Sequence, residues 1–321
     1  MIIAMMLLTQ SLDGCAEERT ALAQIADVIE QRYVLEEKAH LSAKLLREQS
    51  EKGQWDQHCS DPAAFAQSIT DHLRRQMQDD HIYVEYAPES KGSGDNDWLE
   101  KWRSDAPSRG FGVKKVERLA GNIAYLHITD FYELDMMKDA LAAAFELVSS
   151  SDGLILDLRN NPGGSPETEW PVQWTFMDAG APLPLRRESR AGPEPDLAEP
   201  EIPWSRYGSK RPLAIILNAS TFSAPEAVAY SLQAQGRAMI IGSPSGGGAH
   251  MGGDAIAVSG GWKIGVPEIR PFSPYTGTNW ERTGVMPDIA AADGEAVDKA
   301  RGWISEQLAQ KKGGSRSGTA P

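Results

Sequence analysis

Basic residues are in short supply. The chain has 32 Lys and Arg against 45 Asp and Glu, a formal net charge of −13. That balance excludes a protein built to neutralise a phosphate backbone, so no nucleic-acid partner is expected. Cysteine is nearly absent, with only Cys15 and Cys59, too few for a disulfide framework of several bridges. Cys59 adjoins His58, but neighbouring side chains in a loop seldom face each other, so a structural cysteine is expected rather than a reactive thiol. The six histidines (40, 58, 72, 81, 127 and 250) show neither H-x-x-x-H nor H-E-x-x-H spacing, so no metal and no other cofactor is expected. Past the first eight residues no apolar run approaches a membrane span. With 41% apolar and 24% charged residues the composition is that of a globular protein.

The start of the chain is ambiguous. Met1-Ile2-Ile3-Ala4-Met5-Met6-Leu7-Leu8 is apolar, short and not preceded by Lys or Arg. It reads as the apolar core of a secretory leader covering 1–15 or as the beginning of a helix. Leu12-Asp13-Gly14-Cys15 loosely resembles a bacterial lipoprotein cleavage box, so membrane attachment is expected only through a lipid on Cys15.

Residues 16–88 read as a helical N-terminal domain that ends in a strand. Ala21, Ile25, Val28 and Ile29 share a helical face, as do Leu41, Leu45 and Leu46. Asp61-Pro62 opens a helix over 62–79 with Phe65, Ile69, Leu73 and Met77 in line, and the alternation of His81–Tyr86 then predicts a strand. Residues 89–108 read as a polar linker and 311–321 as a disordered tail. From 109 to 310 strand and helix alternate: strands at 121–128, 154–158, 213–218 and 238–241, and helices at 134–150 and 224–235. This rhythm means α/β. Residues 180–208, rich in Pro and charge, read as a long surface loop.

Four segments carry chemistry. Asn218-Ala219-Ser220-Thr221-Phe222-Ser223-Ala224-Pro225-Glu226 joins a buried strand to a helix. A serine there sits at the positive end of a helix, beside the N–H of Ala224. The same residues also read as a plain capping box, Ser223-x-x-Glu226 with Pro225 in the first turn. Asp157-Leu158-Arg159-Asn160-Asn161-Pro162-Gly163-Gly164 ends another buried strand. Its glycines let backbone approach a ligand and offer two N–H donors. In one parallel sheet both turns fall at the same edge, where α/β proteins place their sites. The run Gly246-Gly247-Gly248-Ala249-His250 lacks the Gly-Lys-Ser/Thr ending of a phosphate loop. The fourth segment is Asn279-Trp280-Glu281-Arg282-Thr283-Gly284-Val285-Met286-Pro287-Asp288.

Taken together and in this order, the four segments resemble the tail-specific, or C-terminal processing, serine peptidases. The nearest branch is the bacterial one similar to interphotoreceptor retinoid-binding protein. Residues 29–34 and Asp80-His81-Ile82-Tyr83-Val84 match that branch as well. The resemblance implies a ClpP/crotonase-like α/β core behind a small helical N-terminal domain, with no PDZ domain between. It implies a peptidase acting on peptides or proteins with Ser223 as nucleophile, and an oxyanion hole from Ala224 with Gly163 or Gly164. It also implies export to the periplasm or the cell exterior. The lysine that activates the serine in better-known members has no counterpart after the glycine run. The tricorn branch uses His and Glu, and the matching positions are His81 and Glu281, with His250 as the competing base or a substrate-side group. A histidine suits a serine nucleophile near neutral pH, and a carboxylate fixes its tautomer. A non-catalytic binding module on the same fold is the alternative, with an acyl-CoA enzyme of crotonase type behind it. Oligomeric state is left open.

Overall fold

The computed structural model describes residues 14–88 and 97–314, so the segment expected to be a leader lies outside it except for its last two residues. The chain forms two compact units that interleave along the sequence. The first takes residues up to 98 together with 187–194 and 250–271, and the second takes the rest. The expected boundary between an N-terminal domain over 16–88 and a continuous core over 109–310 is therefore corrected: two stretches of the core's sequence fold with the N-terminal helices.

In the first unit, Ala16–Arg32, Glu36–Glu51 and Pro62–Met77 are helices. The third starts where the sequence marks it, with Asp61 accepting the Ala64 N–H at 3.1 Å and Pro62 in the first turn. It ends on Gln78 in the left-handed region at φ 53°, whose N–H returns to Arg74. Phe65, Ile69, Leu73 and Met77 line its buried face. They pack with Trp262, Ile264 and Val266, from the second recruited stretch. Tyr83–Tyr86 pairs antiparallel with Trp262–Gly265 of that stretch. One expected face is wrong. Glu36–Glu51 buries Ala39, Ser42, Ala43 and Leu46, and Leu41 is 58% exposed, because the small residues let the neighbouring helix approach. Cys15 and Cys59 form a disulfide with Cα atoms 5.5 Å apart. Their structural role is thus a bridge to each other.

In the second unit a six-stranded sheet runs in the order Ile289–Ala290, Met239–Gly242, Leu213–Leu217, Gly153–Asp157, Ile123–Ile128, Val113–Leu119. Only the last pair is antiparallel. Val113–Leu119 falls in sequence that alternates too weakly to be read as a strand, with no buried position along it. Helices cover both faces, so Ile123–Ile128, Gly153–Asp157 and Leu213–Leu217 are buried at every position. Leu154, Leu156 and Ile215 face Leu141, Phe145 and Val228, and Ile155 and Ile216 face Ala296, Ala300 and Ile304. The expected linker holds a helix, Asp97–Asp105, and part of a kinked 3-10 turn, Ala106–Gly112, where Ala106 is buried. Its residues 89–96 lie outside the described residues, as do 315–321 of the expected tail. The described part of that tail, 311–314, continues the helix Ala296–Gly314. The loop over 180–208 is partly a core element: Trp204 and Tyr207 are buried, and Trp204 donates to Thr175 Oγ1 at 2.7 Å.

Candidate active site

Gly153–Asp157 and Leu213–Leu217 are parallel neighbours, so the turns that follow them open at one sheet edge. Hydrogen bonds stitch those turns together. Thr221 Oγ1 donates to the Leu158 carbonyl at 3.0 Å, the Phe222 N–H to the Asn161 carbonyl at 3.0 Å, and the Asn160 N–H to Asn218 Oδ1 at 3.1 Å. Asn161 is fully buried. Its amide donates to the Ile128 carbonyl, and its Oδ1 accepts the N–H of Gly163 at 3.0 Å. Gly163 has φ +116°, and a Cβ there would lie 3.0 Å from Ser223 Cβ. Gly164, at φ +136°, has the Phe131 carbonyl where a Cβ would go. Glycine lets the backbone close against Ser223 at position 163 and against the Phe131 carbonyl at position 164.

Two serines begin helices at this edge, and they differ. Ser165 has φ −70°, ψ 127° and accepts the Glu167 N–H, as an ordinary cap does. Ser223 has φ 66°, ψ −118°, a region that side chains avoid, with a strain of about 1–3 kcal/mol. Its N–H donates to Glu226 Oε2 at 2.6 Å, and the Glu226 N–H returns to the Ser223 carbonyl at 2.9 Å. Glu226 does more than cap. Its fully buried carboxyl also takes the Ser245 hydroxyl at 2.5 Å and the N–H groups of Gly247 at 2.7 Å and Gly248 at 2.9 Å. Burial pushes this carboxyl above the usual range, and the four donors oppose it. The glycine run is thus a cradle for a glutamate. Around it, the Arg282 N–H donates to the Gly247 carbonyl, Trp280 Nε1 to the Gly248 carbonyl, and Glu281 Oε2 accepts the Ala249 N–H at 2.7 Å.

The second unit thus brings together Ser223, Ala224, Gly163 and Gly164, and places Glu281 on the backbone that leads into His250. Ala224 is the first residue of the helix Ala224–Ala234, so its N–H has no acceptor within the helix. The N–H of Gly163 is directed to Asn161 instead, which leaves Gly164 as the stronger partner for Ala224.

In the first unit, His81 and His250 share a residue the sequence reading missed. Asp79 is 1% exposed. Its Oδ2 meets His250 Nδ1 at 2.7 Å and accepts the Tyr33 hydroxyl at 2.9 Å, and its Oδ1 accepts the His81 N–H at 3.0 Å. Burial works to raise the Asp79 carboxyl, but its hydrogen bond to His250 and the charges of both imidazoles hold it below the usual range. Burial also pushes the His81 imidazole down, with Asp79 opposing. Asp79 lies two residues before His81 in the sequence but 171 positions from His250. Cys15, Asp56 and Cys59 also converge, but both sulfurs are spent in the disulfide, so they do not make a metal site.

Peptidase family S41 matches residues 122–291, the span that holds all four motifs. A carboxy-terminal-processing protease of Bartonella bacilliformis is 29% identical over 185 residues, which cover 55% of this chain and 41% of that protein. A lipoprotein structure from Streptococcus agalactiae aligns with a TM-score of 0.57 at 16% identity over 90% of this chain and 96% of that one. The photosystem II D1 C-terminal processing protease aligns with a TM-score of 0.53 at 18% identity over 88% and 96%. These two structures share the fold. With the family match covering more than half its length, the chain belongs to peptidase family S41.

Proposed function

We propose that the protein is a serine peptidase that cleaves peptides or proteins through an acyl-enzyme on Ser223. The observation that carries this is the backbone of Ser223. A helix cap needs no strain, as Ser165 demonstrates on the same edge. A strained strand-to-helix turn projects a nucleophile from the sheet. Ser223 Oγ attacks the substrate carbonyl while a base takes its proton. The N–H groups of Ala224 and Gly164 receive the oxyanion. The intermediate collapses, the base returns the proton to the leaving amine, and water repeats the sequence on the ester.

The base in this reading is His81, with Glu281 as its carboxylate, following the tricorn-like motif positions. A second reading makes His250 the base, with Asp79 in the orienting role. The 2.7 Å contact on Nδ1 favours it, since that contact fixes the ring and leaves Nε2 on the side away from Asp79. We also infer export, because a disulfide such as Cys15–Cys59 persists in oxidising compartments. Among the described residues no helix is long and apolar enough to cross a membrane.

A fluorophosphonate probe tests the nucleophile: wild type is labelled and Ser223→Ala is not, with turnover down by about a thousandfold or more. Labelling that survives Ser223→Ala rejects the assignment. His81→Ala and His250→Ala then rank the bases by loss of turnover. With His81 as base, activity rises as the imidazole loses its proton, with its midpoint below the ordinary histidine value of about 6.5 because burial disfavours the cation. A midpoint above that value counts against His81, and a greater loss in His250→Ala moves the role to His250.

A further inference from the structure

The helix Pro166–Trp174, which follows the Gly163-Gly164 turn, carries two buried acceptors that the proposed mechanism does not use. Glu169 Oε1 and Gln173 Oε1 are each sealed from solvent with no hydrogen-bond partner among the described residues. Four residues apart, they lie on one helical face. Gln173 shows which way that face points. Its Nε2 donates to the Ala227 carbonyl at 3.2 Å and to Ser231 Oγ, both on the helix that Ser223 begins. The two helices follow parallel neighbouring strands and start at the same sheet edge, so they run side by side in the same sense. Glu169 is one turn nearer the start than Gln173, about 6 Å by helical rise. It therefore lies level with the first turn of Ala224–Ala234, where Ser223 stands. Gly164 and Pro166, a few residues before it, are exposed, and Glu169 itself keeps 8% exposure.

A carboxyl in such a place is out of the ordinary, because a buried acid is nearly always paired. Across from Glu169, Ala224–Ala234 carries Glu226 and Tyr230, and Leu134–Ser149 carries Asp135, Lys138, Asp139 and Glu146. None of them perturbs it. Burial alone pushes its carboxyl up to about 8. Among the described residues neither a donor nor a cation meets Glu169 Oε1, and the acceptor of Gln173 lies in line with it.

We propose that Glu169, with Gln173 behind it, forms a subsite beside Ser223 that takes a cationic substrate side chain, lysine or arginine, flanking the scissile bond. This inference rests on Ser223 being the nucleophile. An entering ammonium or guanidinium makes a hydrogen-bonded ion pair with the ionised carboxylate and satisfies the acceptor of Gln173. An apolar side chain of equal length leaves both unsatisfied, and a site built for hydrogen bonds discriminates strongly against such an analogue.

The experiment compares kcat/KM for fluorogenic peptides that differ only in lysine against norleucine at either residue flanking the cleaved bond. In wild type the lysine peptide is favoured by about tenfold or more. The ratio rises with pH as Glu169 ionises, with its midpoint near pH 8 and a plateau above it, while any imidazole limb common to both peptides cancels. In Glu169→Gln the ratio collapses toward one and becomes flat with pH. A flat wild-type ratio between pH 6 and 9, or an unchanged ratio in Glu169→Gln, overturns the subsite. Fluorophosphonate labelling separates the two readings. A labelled wild type without lysine preference overturns the subsite alone, and an unlabelled one overturns the nucleophile and the subsite with it. Should Glu169→Gln fail to fold, the wild-type pH profile decides.

Discussion

Ser223 is one residue in which the local sequence and the tertiary setting point to different roles. Read from Ser223-x-x-Glu226, it is a cap. Its φ of 66° and ψ of −118° belong to a conformation that glycine adopts without penalty. Ser223→Gly should therefore be inactive yet at least as stable as wild type, gaining up to about 1 kcal/mol once strain relief is set against the added flexibility of glycine. Urea denaturation measures this. A loss of about 2 kcal/mol or more would mean that the serine side chain, rather than the turn, holds this segment together. The placement of Ser223 and of the two glycines at one sheet edge is legible because each is tied to a strand end. Asp79 is not, because its partner His250 lies 171 positions away, and no local pattern encodes a contact at that range.

At the scale of elements, helix caps are legible in the sequence and shared partners are not. The capping box predicts one role for Glu226 and a contribution of about 1 kcal/mol. The folded glycine run gives it three further donors, from Ser245, Gly247 and Gly248. Glu226→Ala strips four buried groups of their acceptor, so its cost should reach about 3 kcal/mol or more, as when one partner of a buried polar network is removed. Chemical denaturation distinguishes this from the ~1 kcal/mol of a simple cap. Turnover should fall as well, since the same carboxylate holds the Ser223 N–H. The face of Glu36–Glu51 was misread for a related reason. Leucine spacing marked Leu41, while the actual neighbour selects the small residues Ala39 and Ala43.

For the whole molecule, the division into two units was visible only in outline. Residues 187–194 and 250–271 join the helical unit through strand pairing, and pairing between distant strands leaves little trace in either strand's own sequence. The disulfide closes a separation of 44 residues. In the chain-entropy description a loop of that size stabilises by about 3–4 kcal/mol. Thermal unfolding with and without reductant should show the transition that involves the helical unit lowered by several degrees on reduction. A transition that reductant leaves in place would show that the packing of Phe65, Leu73 and Trp262 suffices alone. The chain spans 41% of the length of the curated relative it matches, which gives these measurements on the chain itself particular weight.

The sequence by itself determined the α/β class, the inner strands, the helix starts at Asp61 and Ser223, and the glycine turn that faces the serine. Each follows from periodicity, capping or backbone freedom within a few residues. Tertiary structure alone decided the rest: the strain at Ser223, the enclosure of Glu226, the bond between Cys15 and Cys59, the carboxylate Asp79 shared by two histidines, and the isolation of Glu169. All of these are contacts, or absences of contact, between residues far apart in the chain. Burial converts them into chemistry, because a charge or a hydrogen bond withdrawn from water weighs far more than the same group on the surface.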